Sequence, residues 1–173
     1  MYDELILVKI DSNYCNYLRK FDTKVSYNYN EKETRPFVGV LFFVNGCMYF
    51  SPLSSPKPKH VKIKSNLDFF KLDGGKLGAI NFNNMIPVMH FNVHKIDLNA
   101  DISDNRERKY LNLLKKQIFW LNRHSENLYS KSSKLYFGYI NNTLNENIRI
   151  RCCNFPLLED KCLEYNSVNE VGV

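Results

Sequence analysis

The chain has 173 residues, enough for one ordinary domain that buries roughly 70% of the surface its unfolded form would expose. No apolar run approaches the roughly 20 residues needed to span a bilayer, and Asp3 and Glu4 stand where a secretory signal would carry positive charge, so a cytoplasmic protein without a membrane segment is expected. A net charge of +6 fits a polyanionic partner, because Lys and Arg that neutralise phosphates release condensed counterions.

Leu5 to Ile10 is a β-prone run, and Asp11 or Ser12 follows as the cap of a short helix. On that helix Tyr14, Tyr17, Leu18 and Phe21 recur at i, i+3, i+4 and i+7, the spacing of one core-facing stripe. Asp22 to Thr34 is polar and carries Tyr27 and Tyr29, as expected of a loop. Phe37 to Val44, then Asn45-Gly46, then Cys47 to Phe50 predict a hairpin, since Asn-Gly supplies the two positive φ angles of a type I′ turn. Pro52, Pro56 and Pro58 then predict that Ser51 to Lys64 leaves the sheet as a basic loop. Further strands are expected at Leu67 to Leu72, at Lys76 to Phe82 after Gly74-Gly75, and at Val88 to Ile96.

After Ser103 the period becomes helical. Leu111, Leu114, Ile118, Leu121 and Leu128 form an apolar stripe, and Asp104 with Glu107 makes a loose capping box. Lys109, Lys116 and Arg123 recur every seven residues and share another face, near Phe119. That face fits a solvated surface or a track for an RNA backbone. Ser132 to Tyr139 and Phe155 to Tyr165 read as further helices. No repeat or linker divides the chain, so a single domain over residues 1–173 is expected.

Several chemistries lack their signatures. The five cysteines include no Cys-x-x-Cys pair and read as reduced, and no Gly-rich phosphate loop follows a strand. His90 and His94 have i, i+4 spacing but a strand-like context without nearby thiols or paired carboxylates, so neither a metal nor another cofactor is expected. No recognition helix or finger pattern points to duplex DNA. What stands out is Ser51 to His60, where hydroxyls, Lys57, Lys59 and an imidazole sit on a segment stiffened by three prolines. RNA can be cut without a metal when its own 2′-hydroxyl attacks the adjacent phosphorus. The protein then needs only to fix the geometry, assist proton transfer and stabilise phosphorane charge. Lys57, Arg35 and the Ser54 and Ser55 hydroxyls suit that last task. A non-catalytic basic RNA-binding regulator, with Tyr and Phe rings stacking on unpaired bases, fits the same composition.

The order of segments resembles the ToxN/AbiQ endoribonuclease toxins of type III toxin-antitoxin systems. The likeness is carried by the Tyr14 to Val25 stretch, by Arg35-Pro36-Phe37-Val38-Gly39, and by Tyr49 to Lys57 with its Ser54-Ser55-Pro56-Lys57 core. It continues through Phe69 to Leu72, Gly78 to Pro87, Leu114 to Ile118 and Cys153 to Lys161. The resemblance implies an α+β fold, with a compact, strongly twisted antiparallel sheet or barrel core like that of the MazF and Kid toxins and helices packed around it. It further implies metal-independent cutting of adenine-rich RNA to 2′,3′-cyclic phosphate and 5′-hydroxyl ends. The implied inhibitor is a repeated pseudoknot antitoxin RNA that closes with the toxin into a cyclic assembly. By position, Ser55 and Lys57 match the family's catalytic Ser-Pro-Lys, Ser54 matches a neighbouring hydroxyl, and Arg35 falls where a relative has Lys. Tyr29, with Tyr27 competing, matches a loop tyrosine, and His60 keeps a histidine, whereas Pro58-Lys59 departs from the family's residues after Ser-Pro-Lys; Tyr29, His60, Lys24 and Lys59 are the RNA contacts expected here.

Overall fold

The computed structural model describes residues 4–26 and 35–170. The expected strand at the start is β1 (Ile6–Ile10), and Asp11 caps α1 (Ser12–Arg19) by accepting the Tyr14 backbone N–H at 2.9 Å. Tyr14 and Leu18 of the predicted stripe are fully buried, and the Tyr14 hydroxyl donates to the Pro87 carbonyl at 2.6 Å. Phe21 falls outside the helix and is exposed.

The hairpin forms as expected: β3 (Phe43–Val44) turns through Asn45 and Gly46, both at positive φ, into β4 (Cys47–Ser54). The preceding run is interrupted, however, because β2 (Phe37–Gly39) pairs with β1 and only two residues of β3 rejoin β4. Pro52, expected to end the strand, lies inside β4 and does not end it. Odd-numbered residues of β4 turn their N–H groups toward β2, as Leu53 does in donating to Pro36 at 2.9 Å. The missing donor of Pro52 therefore faces the opposite side, at the step where β4 exchanges one neighbour, β7 (Ile86–Val88), for another, β6 (Gly78–Asn81). The chain leaves the sheet only after Ser54. It then forms not a loop but α2 (Pro58–Lys62), with Pro58 at the first helical position, where no N–H is needed.

β5 (Phe69–Leu72) pairs with β6 through a Gly74-Gly75 turn, and the expected strand from Val88 to Ile96 is divided by a 3₁₀ turn at His90–Asn92 into β7 and β8 (Val93–Lys95). The resulting antiparallel sheet has the order β5-β6-β4-β2-β1-β8, with β3 and β7 attached to β4. It is an open path among the described residues, so the closed-barrel form of the expectation is not what these strands make.

Six helices accompany the sheet among the described residues. The predicted main helix is two: α3 (Asn105–Arg123) and α4 (Ser125–Ile140) break at His124, whose φ of −123° and ψ of 19° are not helical, so Leu128 belongs to α4. α5 (Glu146–Arg149) is short, and α6 (Phe155–Glu170) extends the predicted last helix. α3 is fastened to β1 by Asn122, which accepts the Leu5 N–H at 2.8 Å and donates to its carbonyl at 3.2 Å. The buried Glu159 carboxylate of α6 accepts the Tyr49 hydroxyl at 2.6 Å and the Tyr136 hydroxyl at 2.8 Å, joining sheet, α4 and α6. All five cysteines are buried and none is in a disulfide. No helix among the described residues is long and apolar enough to cross a membrane.

Candidate active site

β4 is the most heavily paired strand of the sheet, and its last residue is Ser54. Paired there with Ala79, it delivers Ser55, Pro56 and Lys57 to the surface at a fixed point. Lys57 caps α2 in an extended conformation, and its carbonyl accepts the His60 N–H at 2.9 Å, so backbone on both sides of the Ser-Pro-Lys segment is held by secondary structure. Arg35 arrives from elsewhere in the chain. Phe37 pairs with Pro52, and extending that antiparallel register by two residues sets Arg35 beside Ser54.

These groups open onto one cleft of about 660 Å³. Arg35, Ser54, Ser55 and Lys57 line one side. The opposite wall is the start of α3, which contributes Asp104, Arg106, Glu107 and Tyr110. Asp104 caps that helix by accepting the Glu107 backbone N–H at 2.8 Å. Burial draws the Arg35 guanidinium down from its ordinary value, with Tyr110 opposing the shift. Arginine nevertheless stays cationic at neutral pH. Burial likewise pushes the Tyr110 phenol up, against the pull of Arg35, so it is a neutral hydroxyl near pH 7. The cleft can therefore offer an anion two cations and two hydroxyls from one wall, and a third cation, Arg106, with a phenol from the other. No group of three or more His, Cys, Asp or Glu that could hold a metal occurs among the described residues.

The remaining candidates among the described residues do not join this cluster. His60 is 3% exposed, with its ring packed edge-on against Phe69 at 5.8 Å, so the residue expected to touch RNA faces inward beneath α2. The helix that replaces the predicted loop is what turns it there. Lys59 is exposed on α2, outside the cleft lining. Lys24 donates to the Cys152 carbonyl at 2.8 Å, tying its own loop to the segment before α6. Lys109, Lys116 and Arg123 are exposed along α3 but do not line the cleft, and Arg123 lies over the Phe119 ring at 5.6 Å. Tyr29 and Tyr27 lie outside the described residues. Sequence reasoning missed Arg106, Glu107 and Tyr110 as residues of the cleft. Their i, i+1, i+4 spacing just inside the Asp104 cap was the available signal, since it groups them on the first turns of one helix.

The model of the family described as toxin ToxN of type III toxin-antitoxin systems matches residues 6–163. The chain is 34% identical over 160 residues to endoribonuclease ToxN of Bacillus thuringiensis subsp. kurstaki, covering 90% of this chain and 81% of that protein. It is 30% identical over 167 residues to endoribonuclease AbiQ of Lactococcus lactis subsp. lactis, covering 91% and 87%. A solved structure from work on type III systems and selective toxin inhibition by a non-coding RNA pseudoknot superposes with a TM-score of 0.78 at 32% identity. That superposition covers 95% of this chain and 99% of the other.

Proposed function

The chain belongs to the ToxN family of type III toxin-antitoxin toxins, and on that premise we propose that it is an endoribonuclease that cuts RNA without a metal in the cleft between β4 and α3. The 2′-hydroxyl attacks the adjacent phosphorus, the bond from phosphorus to O5′ breaks, and the products carry 2′,3′-cyclic phosphate and 5′-hydroxyl ends. Lys57 and Arg35 stabilise the charge of the pentavalent transition state, while Ser54 and Ser55 orient the scissile phosphate by hydrogen bonding. The observation that carries this reading is the convergence of Arg35 with Ser54, Ser55 and Lys57 on one cleft, from segments separated by the whole hairpin.

Its partner is RNA as well. The pseudoknot that inhibits the similar toxin motivates the reading that a structured antitoxin RNA occludes this cleft, closing with the toxin into a cyclic assembly. The same reading includes adenine-rich substrates, a cytoplasmic setting, and kinship of the open twisted sheet to MazF and Kid.

Incubating the purified protein with adenine-rich RNA in excess EDTA and mapping the ends tests the chemistry. Cutting that persists and leaves 5′-hydroxyl ends is expected. Loss of cutting under chelation, or 5′-phosphate products, overturns the mechanism.

A further inference from the structure

The two walls of the cleft differ in chemistry. Against the cations and hydroxyls of the β4 side, α3 presents Asp104 and Glu107 beside Arg106 and Tyr110, and a carboxylate facing an RNA backbone repels it. Asp104 has a structural reason to be there, since it caps α3. Glu107 sits in the first turn, where a carboxylate suits the helix dipole, yet its side chain makes no hydrogen bond or ion pair among the described residues, although Arg35, Lys57 and Arg106 line the same cleft. Tyr110, three residues on from Glu107 and four from Arg106, stands next to both on the helix surface. It is 36% exposed, and its phenol is close enough to Arg35 for each to perturb the other's charge, so the ring reaches toward the phosphate-binding wall.

We infer that the first turns of α3 read a nucleobase beside the scissile phosphate, with the Tyr110 ring as the stacking surface and the Glu107 carboxylate as acceptor for the base's exocyclic amino group. This deepens the proposed ribonuclease reading and rests on it. An ionised carboxylate only accepts hydrogen bonds, so it matches the amino group of adenine, cytosine or guanine and rejects an edge presenting carbonyls alone. Stacking on a ring tolerates any base, so discrimination falls to Glu107. The cleft volume of about 660 Å³ is within the usual range of sites that enclose a small ligand, which leaves room for a nucleotide between the walls. Repulsion of the backbone by Glu107 then has a use: RNA without the correct amino group meets an unpaired carboxylate.

The test uses an RNA selected by the full-length wild-type protein from a randomised pool. Each base is replaced singly by its analogue lacking the exocyclic amine: purine for adenine, hypoxanthine for guanine, pyrimidin-2-one for cytosine. Binding and cutting are compared for wild type, Glu107→Gln and Glu107→Ala. At one position the wild type loses about 10- to 100-fold in affinity and in kcat/KM when the amine is removed. Glu107→Ala loses a similar factor on the parent RNA but distinguishes the pair by less than about 2-fold. Equal discrimination by wild type and Glu107→Ala at every position overturns the inference. So does a uniform rate loss in Glu107→Gln with disappearance of the acidic limb of the pH–rate profile, which would make Glu107 the proton acceptor for the 2′-hydroxyl. Wild-type protein that shows the coupling in binding but never cuts sinks the ribonuclease reading and leaves the base reading standing.

Discussion

The side-chain amide of Gln117, in the middle of α3, donates to the Leu77 carbonyl at 2.7 Å and lies 3.5 Å from the carbonyl of Ser54 at the end of β4. Gln117 is 1% exposed, so this is an interior link between the two walls of the cleft. Mid-helix glutamine among leucines is expensive to bury unless its donors are used. Here they hold the strand end that carries the serines at a set distance from the helix that carries Arg106, Glu107 and Tyr110.

Gln117→Met keeps the side chain's length and removes both donors. Stability should fall by about 1–3 kcal/mol, because buried carbonyls lose a partner, and denaturant unfolding measures this. Among molecules that remain folded, kcat for RNA cutting should fall by roughly 10-fold with KM nearly unchanged, since the link positions reacting groups and does not touch substrate. A stability loss with unchanged kcat would reduce Gln117 to a packing residue.

Gly78 completes the same junction. Its φ is +110°, a region that side chains rarely adopt, and a Cβ there would collide with the Ser54 carbonyl oxygen and crowd the Gln117 amide. Gly78→Ala should therefore cost about 3 kcal/mol or more, through both backbone strain and displacement of the β4 end. Urea denaturation checks the magnitude. A near-neutral result would mean that β4 can shift freely, which would also argue against a rigid cleft.

How much of this was legible beforehand follows from the range of the interactions involved. The Asn45-Gly46 turn, the Asp11 and Asp104 caps and the buried faces of Tyr14 and Leu114 are local properties, fixed by residues within one or two turns. Pro52 was misread because its tolerance depends on which neighbour β4 has at that residue, a fact set by β6 and β7 some 30 residues later. His60 was misread for a similar reason: its burial depends on the close packing of its backbone against Gly75 and of its ring against Phe69. Ser54, Ser55 and Lys57 were legible as a stiff basic segment, and resemblance supplied the role proposed for them. The α3 wall was not, because Glu107 and Tyr110 become cleft residues only when the helix docks across the sheet.

The inward-facing His60 predicts an acid-sensitive step in stability. Burial, then the charges of Lys57 and Lys59, lower its pKa from the ordinary 6.5. The unfolded chain therefore binds this proton more readily than the folded one. The contribution of neutral His60 is fully present above about pH 6.5 and is lost as pH falls toward the folded value. Unfolding free energies measured from pH 7.5 to 5 should fall more steeply for the wild type than for His60→Phe, with a difference in slope of at most about 1.4 kcal/mol per pH unit. Parallel curves would show that the imidazole accepts its proton without cost.

Lys57 and Ser55 should dominate chemistry while contributing little to folding, because both side chains are exposed at the end of a strand whose backbone holds itself. Lys57→Ala removes a cation from the wall proposed to bind phosphate and should lower kcat about 10²- to 10³-fold, the usual cost of deleting one donor to a developing oxyanion. Ser55→Ala should cost about 10²-fold on the same grounds. Unfolding midpoints should stay close to wild type, since both side chains are exposed and Lys57, although it stands at the N-cap of α2, makes no side-chain capping hydrogen bond; such surface truncations usually change stability by less than about 0.5 kcal/mol. Lys57→Arg separates charge from proton donation: if Lys57 only stabilises charge, the arginine variant should recover most of the loss. If it also protonates the departing O5′, arginine should recover little, because its proton is held too tightly at neutral pH. Single-turnover cutting across pH 6 to 9 distinguishes the two. Wild-type rates in both alanine variants would remove the β4 end as the catalytic wall and leave the cleft as a binding surface only.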